Sequence, residues 1–176
     1  LRGAGLANFR SAVSIHDSFV TNNQVTGTSP NGIGAGIYSS GNGGTASVSL
    51  QNTTINLNSA SQSGGGIFNQ NNSSLTISSS TVSGNISNSG GGISNRESTL
   101  SLINSTITNN QAIGGGFYGV GAGIYSEGNG GSPIFVLIEN STVSFNSASR
   151  NGGGIFNKNH SNLTILSSSI VGNTAN

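Results

Sequence analysis

The sequence predicts an all-β chain wound into a parallel β-solenoid, and three observations predict it. A glycine phrase ending in an aliphatic residue recurs at Gly5-Leu6, Gly36-Ile37, Gly66-Ile67, Gly92-Ile93, Gly123-Ile124 and Gly154-Ile155, at intervals of 31, 30, 26, 31 and 31 residues. Short segments alternating apolar and polar residues follow each phrase, the period of a β-strand. The step from the last apolar residue of the second segment to the Val or Ile of the third is five residues in every repeat: 15 to 20, 50 to 55, 77 to 82, 102 to 107, 138 to 143 and 165 to 170. A fixed step implies a tight corner, and repeats of this length that alternate and turn are the signature of stacked coils.

Each repeat justifies three strands. The first begins at the glycine phrase, as in Ile67-Phe68-Asn69, where glycine lets the chain bend and lets neighbouring coils approach closely. The second has the form apolar-x-apolar, as in Leu75-Thr76-Ile77 or Val136-Leu137-Ile138. The third reads [ST][VI]xxN, as in Thr81-Val82-Ser83-Gly84-Asn85. Glycines and β-branched runs disfavour helices throughout. Six rungs of three strands, about 28 to 29 Å long at a strand spacing of about 4.8 Å, form one domain over residues 1–176. A longer period lies on top: GAGIYSSGNGG at 34–44 returns as GAGIYSEGNGG at 121–131, which divides the chain into three-rung units of about 1–87 and 88–176.

Stacking the rungs predicts files of equivalent side chains. Leu6, Ile37, Ile67, Ile93, Ile124 and Ile155 form an aliphatic core file. Asn8, Ser39, Asn69, Asn95, Ser126 and Asn157 form a polar inward file. Asn23, Asn58, Asn85, Asn110, Asn146 and Asn173 form a second polar file, whose amides must hydrogen-bond along the stack if they are dry.

Composition narrows the function. Nine charged residues with a net charge of +1 provide no basic cluster for nucleic acid, and the longest apolar run, IFVLI at 134–138, is far too short to insert in a membrane as a helix. With no Cys there is no disulfide, thiol nucleophile or Cys-containing zinc site, which is compatible with export. The chain starts and stops within the repeat, without a polar capping helix, so further repeats or copies stacked end to end are expected.

The glycine phrases GGGI at 64–67, 90–93 and 152–155, and the VxxN or IxxN closing each rung, resemble the right-handed parallel β-helix repeats of bacterial secreted and surface proteins. They are similar to the GGA[ILV] and FxxN repeats of chlamydial polymorphic membrane proteins and to autotransporter passenger repeats. GGG or GAG replaces GGA here, and Val or Ile replaces Phe. The resemblance implies a right-handed coil, as does the crossover rule for parallel strands, and an extracellular or cell-surface location. Such proteins are often adhesins, and some relatives of the fold are polysaccharide lyases.

No cofactor and no metal site is expected. The acids Asp17, Glu97, Glu127 and Glu139 fall on different rungs and faces in this register, which argues against a catalytic pair, and His16 and His160 are too far apart for a shared metal. Arg96, Glu127 and Lys158 share one outward position on successive rungs and read as an ion-pair ladder. GGGFYG at 114–119 matches GxGxxG formally, with no helix after it to bind phosphate, and the repeats lack the Asp of calcium-binding nonapeptides.

Two surfaces stand out. The outward residues of the first strand are Ala7, Tyr38, Phe68, Ser94, Tyr125 and Phe156, which pair Tyr38 with Phe68 and Tyr125 with Phe156. Exposed, these rings would hold a sugar or dock a neighbouring rod; alternatively, insertions at 24–34 and 111–121 fold over them, with Phe117 and Tyr118 as the covering groups. The candidate contact surface is therefore Tyr38, Phe68, Phe117, Tyr118, Tyr125 and Phe156. On the third strand, Thr54, Thr81, Thr106, Thr142 and Ser169 make a hydroxyl column of the kind seen in ice-binding solenoids, interrupted nearby by Phe19, Asn56 and Val171. The expected function is a non-enzymatic structural or adhesive solenoid that associates with itself or with a cell-surface glycan or protein. A glycan-binding or lyase-like β-helix and an ice-binding solenoid are the alternatives.

Overall fold

A computed structural model describes residues 2–28, 30–116, 118–131 and 133–176. All regular structure among them is β: 24 short strands form four six-stranded sheets, and every strand pairs in parallel with its counterpart one rung away. The protein is a β-solenoid of six rungs.

The first sheet contains Leu6–Phe9, Ile37–Ser40, Ile67–Gln70, Ile93–Arg96, Ile124–Glu127 and Ile155–Lys158. The second runs from Ala12–His16 in rung 1 to Ser161–Leu166 in rung 6, and the third from Phe19–Thr21 to Ser169–Val171. The predicted register holds: Leu6, Ile37, Ile67, Ile93, Ile124 and Ile155 are partners in sequence down the first sheet. With Val48, Leu75, Leu100 and Val136 of the second sheet and Ile55, Val82, Ile107 and Val143 of the third, they form one continuous apolar core.

Each rung has four strands, where the sequence predicts three. The fourth sheet comprises the two-residue strands Gln24–Val25, Ser59–Ala60, Ile86–Ser87, Gln111–Ala112, Ser147–Ala148 and Thr174–Ala175. Two residues contribute a single inward side chain, so no alternation exists to be detected. That side chain is small because the rung closes on itself here: Ala60 packs with Val25 and Ala35, and Ala112 and Ala148 pack with Ala122.

The closure explains the triple glycine. Gly64 has φ +65°, a left-handed turn. A Cβ on Gly65 would lie 2.5 Å from the carbonyl oxygen of Ile86, in the fourth strand of the same rung. One on Gly66 would lie 2.6 Å from the carbonyl oxygen of Gly92 in the next rung. The three glycines thus serve a turn, a closure within the rung and a contact between rungs.

Two polar ladders run the length of the stack. In the first, Nδ2 of Asn23, Asn58, Asn85, Asn110 and Asn146 donates to Oδ1 of the next Asn at 2.9 to 3.0 Å. For Asn85, Nδ2 also donates to the carbonyl of Ile55, and Oδ1 accepts from both N and Nδ2 of Asn58. Both donors and both acceptor sites are filled, which is what a fully buried amide requires. The second ladder runs through the five-residue corner. The backbone N of Thr53, Ser80, Ser105 and Ser141 donates to the hydroxyl of Ser80, Ser105, Ser141 and Ser168 respectively, each at 3.0 Å.

The inward file beginning at Asn8 is less regular. Asn8 bonds Ser39 and Asn69 bonds Asn95, but Ser39 and Ser126 turn to Ser73 and Ser161 of the second sheet. A hydroxyl with one proton serves one neighbour, so the file breaks there and Asn69 Oδ1 is left without a partner.

Candidate contact surface on the first sheet

Strand alternation turns Ala7, Tyr38, Phe68, Ser94, Tyr125 and Phe156 to the outside of the first sheet, and they are register partners from rung 1 to rung 6. Tyr38 and Phe68 stack with ring centres 6.0 Å apart and planes 11° apart; Tyr125 and Phe156 stack at 6.0 Å and 13°. Ser94 leaves a gap between the pairs, and Arg96 folds back to fill it. Its guanidinium lies 5.4 Å from the Phe68 ring centre and 5.3 Å from that of Tyr125. At the other gap, beside Ala7, Arg2 sits 5.6 Å from the Tyr38 ring and donates to its hydroxyl at 3.2 Å. Small residues in the outward file thus make room for cations, giving a continuous stack held by ring–ring and cation–π attraction.

Three of the four rings are covered rather than open, and Phe156, in the end rung, is half-buried. Tyr38 is 0 % exposed, Phe68 1 % and Tyr125 4 %. Ile33, from the insertion at 24–34, packs on Tyr38 and Phe68, and Tyr118, from the insertion at 111–121, stands 46 % exposed between two cavities on this face. Phe117 lies outside the described residues. Burial of so much aromatic surface is strongly favourable, so the accessible surface is the layer above the rings.

Charges organise that layer. Arg96, Glu127 and Lys158 are partners in register, with Lys158 Nζ 2.9 Å from Glu127 Oε1 and Arg96 Nε 3.9 Å from Glu127 Oε2. The Tyr125 hydroxyl donates to Glu127 Oε2, and Asn159 Nδ2 donates to Oε1 at 3.1 Å. Burial raises the Tyr125 pKa, and its bond to Glu127 raises it further. Burial alone would raise Glu127, but the bonds from Lys158 and Tyr125 and the charge of Arg96 hold it below the usual carboxylate range. Burial works against the Lys158 ammonium, and the bond to Glu127 outweighs it, so its pKa is raised.

The acids are less scattered than the sequence register implies. Glu97 and Glu127 share an open concavity with Arg96, Asn129, Asn159 and His160, because the turns ending adjacent first-sheet strands face one another. His16 is at the opposite end of the stack, in rung 1. A larger groove of roughly 740 Å³ lies between the two GNGG loops, lined by Asn42, Asn71, Asn72, Glu97 and Asn129 among others. On the third sheet, Thr54, Thr81, Thr106, Thr142 and Ser169 are partners in register, with Phe19 protruding beside them at 77 % exposure.

Comparison with family models, curated proteins and solved structures finds no match to this chain. The parallel β-solenoid rests on the chain's own register and hydrogen bonds.

Proposed function

We propose that the chain is a non-enzymatic structural and adhesive segment of an extracellular, bacterial-type surface solenoid, with the layer over the first sheet as its contact surface. The observation that carries this reading is where the repeated polar side chains are spent. The Asn ladder and the Ser/Thr corner ladder consume their hydrogen-bonding capacity on the stack itself. Only nine charged side chains are left for other work. The likeness of the GGGI and VxxN phrases to surface repeats supports the location.

Stacking extends to what the terminal rungs present. Ile165 and Ile170 of rung 6 are 42 % and 44 % exposed, where their rung-5 partners Ile138 and Val143 are fully buried. A further rung, from a flanking repeat or a second copy, would cover that face and pair its open strands. Sedimentation velocity over a concentration series tests self-association. Growth of elongated species, suppressed by Ile165→Lys with Ile170→Lys, is the expected result. A monomer at every concentration overturns the self-assembly part of the reading.

A further inference from the structure

The geometry points to a binding trough for a linear anionic glycan, a sugar chain bearing carboxylates, over the aromatic file of the first sheet. This rests on the reading of that face as the contact surface and names its ligand class. Two cavities of about 260 and 380 Å³ succeed one another along the solenoid axis and share Arg96 and Tyr118. The first takes Arg2 and Phe68 into its lining, and the second takes Arg150, Lys158 and Phe156. Four of the five cations of the chain therefore line the trough, and the acid bonded to its wall is Glu127, held by Lys158 and Tyr125. The trough keeps an excess of cations over that one carboxylate.

The cations remain available. Glu127 neutralises Lys158 through a 2.9 Å contact, but Arg96 makes no hydrogen bond to Glu127: its Nε, 3.9 Å away, is buried, and the 36 % of its side chain that is exposed is left to the two cavities. Arg2 donates to a neutral phenol and Arg150 to the backbone carbonyl of Gly116, and neither has a carboxylate partner among the described residues. An arginine with unpaired N–H groups is suited to the planar, two-oxygen geometry of a carboxylate.

The rest of the lining favours a sugar chain over an acidic peptide. Gln62, Gln70 and Asn151 place side-chain amides beside the cations, matching a ligand rich in hydroxyls, and Tyr118 presents the ring most open to stacking against a pyranose face. An extended peptide binds most readily by adding to a free sheet edge. Under the trough the strands run across its direction, and those of rungs 2 to 5 are paired on both sides. The trough spans all six rungs, about 24 Å at the usual strand spacing, and the rings of a linear glycan repeat at a spacing close to that of the rungs.

The test is isothermal titration of the whole chain with short oligogalacturonate, the same oligomer fully methyl-esterified, and poly-L-glutamate of matched charge. Binding of the free acid roughly tenfold tighter than either control is expected, with the advantage shrinking as salt is raised to about 0.5 M. Tyr118→Ala, on the insertion at 111–121, and Arg150→Gln, in the exposed turn before the last first-sheet strand, each weaken it by about fivefold or more, and Arg96→Gln does the same with the fold checked by circular dichroism. Equal binding of the ester, equal or tighter binding of poly-glutamate, indifference to Arg150→Gln, or no binding of the free acid overturns the inference. None of those outcomes touches the self-assembly reading, which sedimentation tests without any glycan.

Discussion

The Asn ladder and the aromatic file both run through all six rungs, yet they are built on opposite plans. The ladder repeats one residue in one geometry: Asn58, Asn85, Asn110 and Asn146 each bond the next rung through the same atoms. The file over the first sheet changes at every step, with Ala7 and Ser94 leaving openings that Arg2 and Arg96 enter. A file that must be uniform supports the stack, because one defect leaves dry polar groups in two neighbouring rungs. A file that tolerates variation is free to acquire a surface chemistry of its own.

Substitutions sharpen that contrast. The largest effect is expected in the uniform interior. Asn110→Ala removes the acceptor of Asn85 N and Nδ2 and the donor to the Val82 carbonyl, all buried, and should cost about 3 kcal/mol or more in urea unfolding. Ile107→Ala, in the fully buried core, falls in the range of roughly 2–5 kcal/mol. If either proves nearly neutral, the rungs are not packed as described. Arg96→Ala, in the variable file, removes two cation–ring contacts and should cost about 1–2 kcal/mol, with cooperativity unchanged.

Smaller still is the ion pair. The lowered pKa of Glu127 means that its stabilisation is present above the unfolded carboxylate value and is lost as pH falls through the folded one. The raised pKa of Lys158 means that its contribution is present below the unfolded lysine value and is lost as pH rises through the folded one. Glu127→Gln should therefore flatten both the acid and alkaline limbs of a stability–pH curve while costing only about 0.5 kcal/mol at neutral pH. An unaltered curve would remove Glu127 from the account of that face. Thr106→Val, on the outer face of the third sheet, should stay within about 0.5 kcal/mol in either direction.

What was legible in the sequence follows from the same distinction. Ile37, Ile67, Ile93 and Ile124, or the Asn that closes each rung, declare themselves because the same residue returns at the same place. The Ser80–Ser105–Ser141 ladder is equally regular, but in a chain so rich in serine a serine column carries little signal. The fourth strand escaped because its two residues are too short to show a period. Cover over Tyr38 and Phe68 escaped for a different reason. It depends on an arginine folding back from two positions along its strand and on insertions whose course no repeat dictates.

The central claim, that equivalent side chains are joined rung to rung in dry files, is most directly tested by NMR hydrogen exchange of the asparagine side-chain amides. Asn58, Asn85 and Asn110 should exchange far more slowly than the exposed Asn42 and Asn129, with a scalar coupling across the hydrogen bond from Asn110 Nδ2 to the Val82 carbonyl. Side-chain amides that all exchange at the solvent-exposed rate would contradict it.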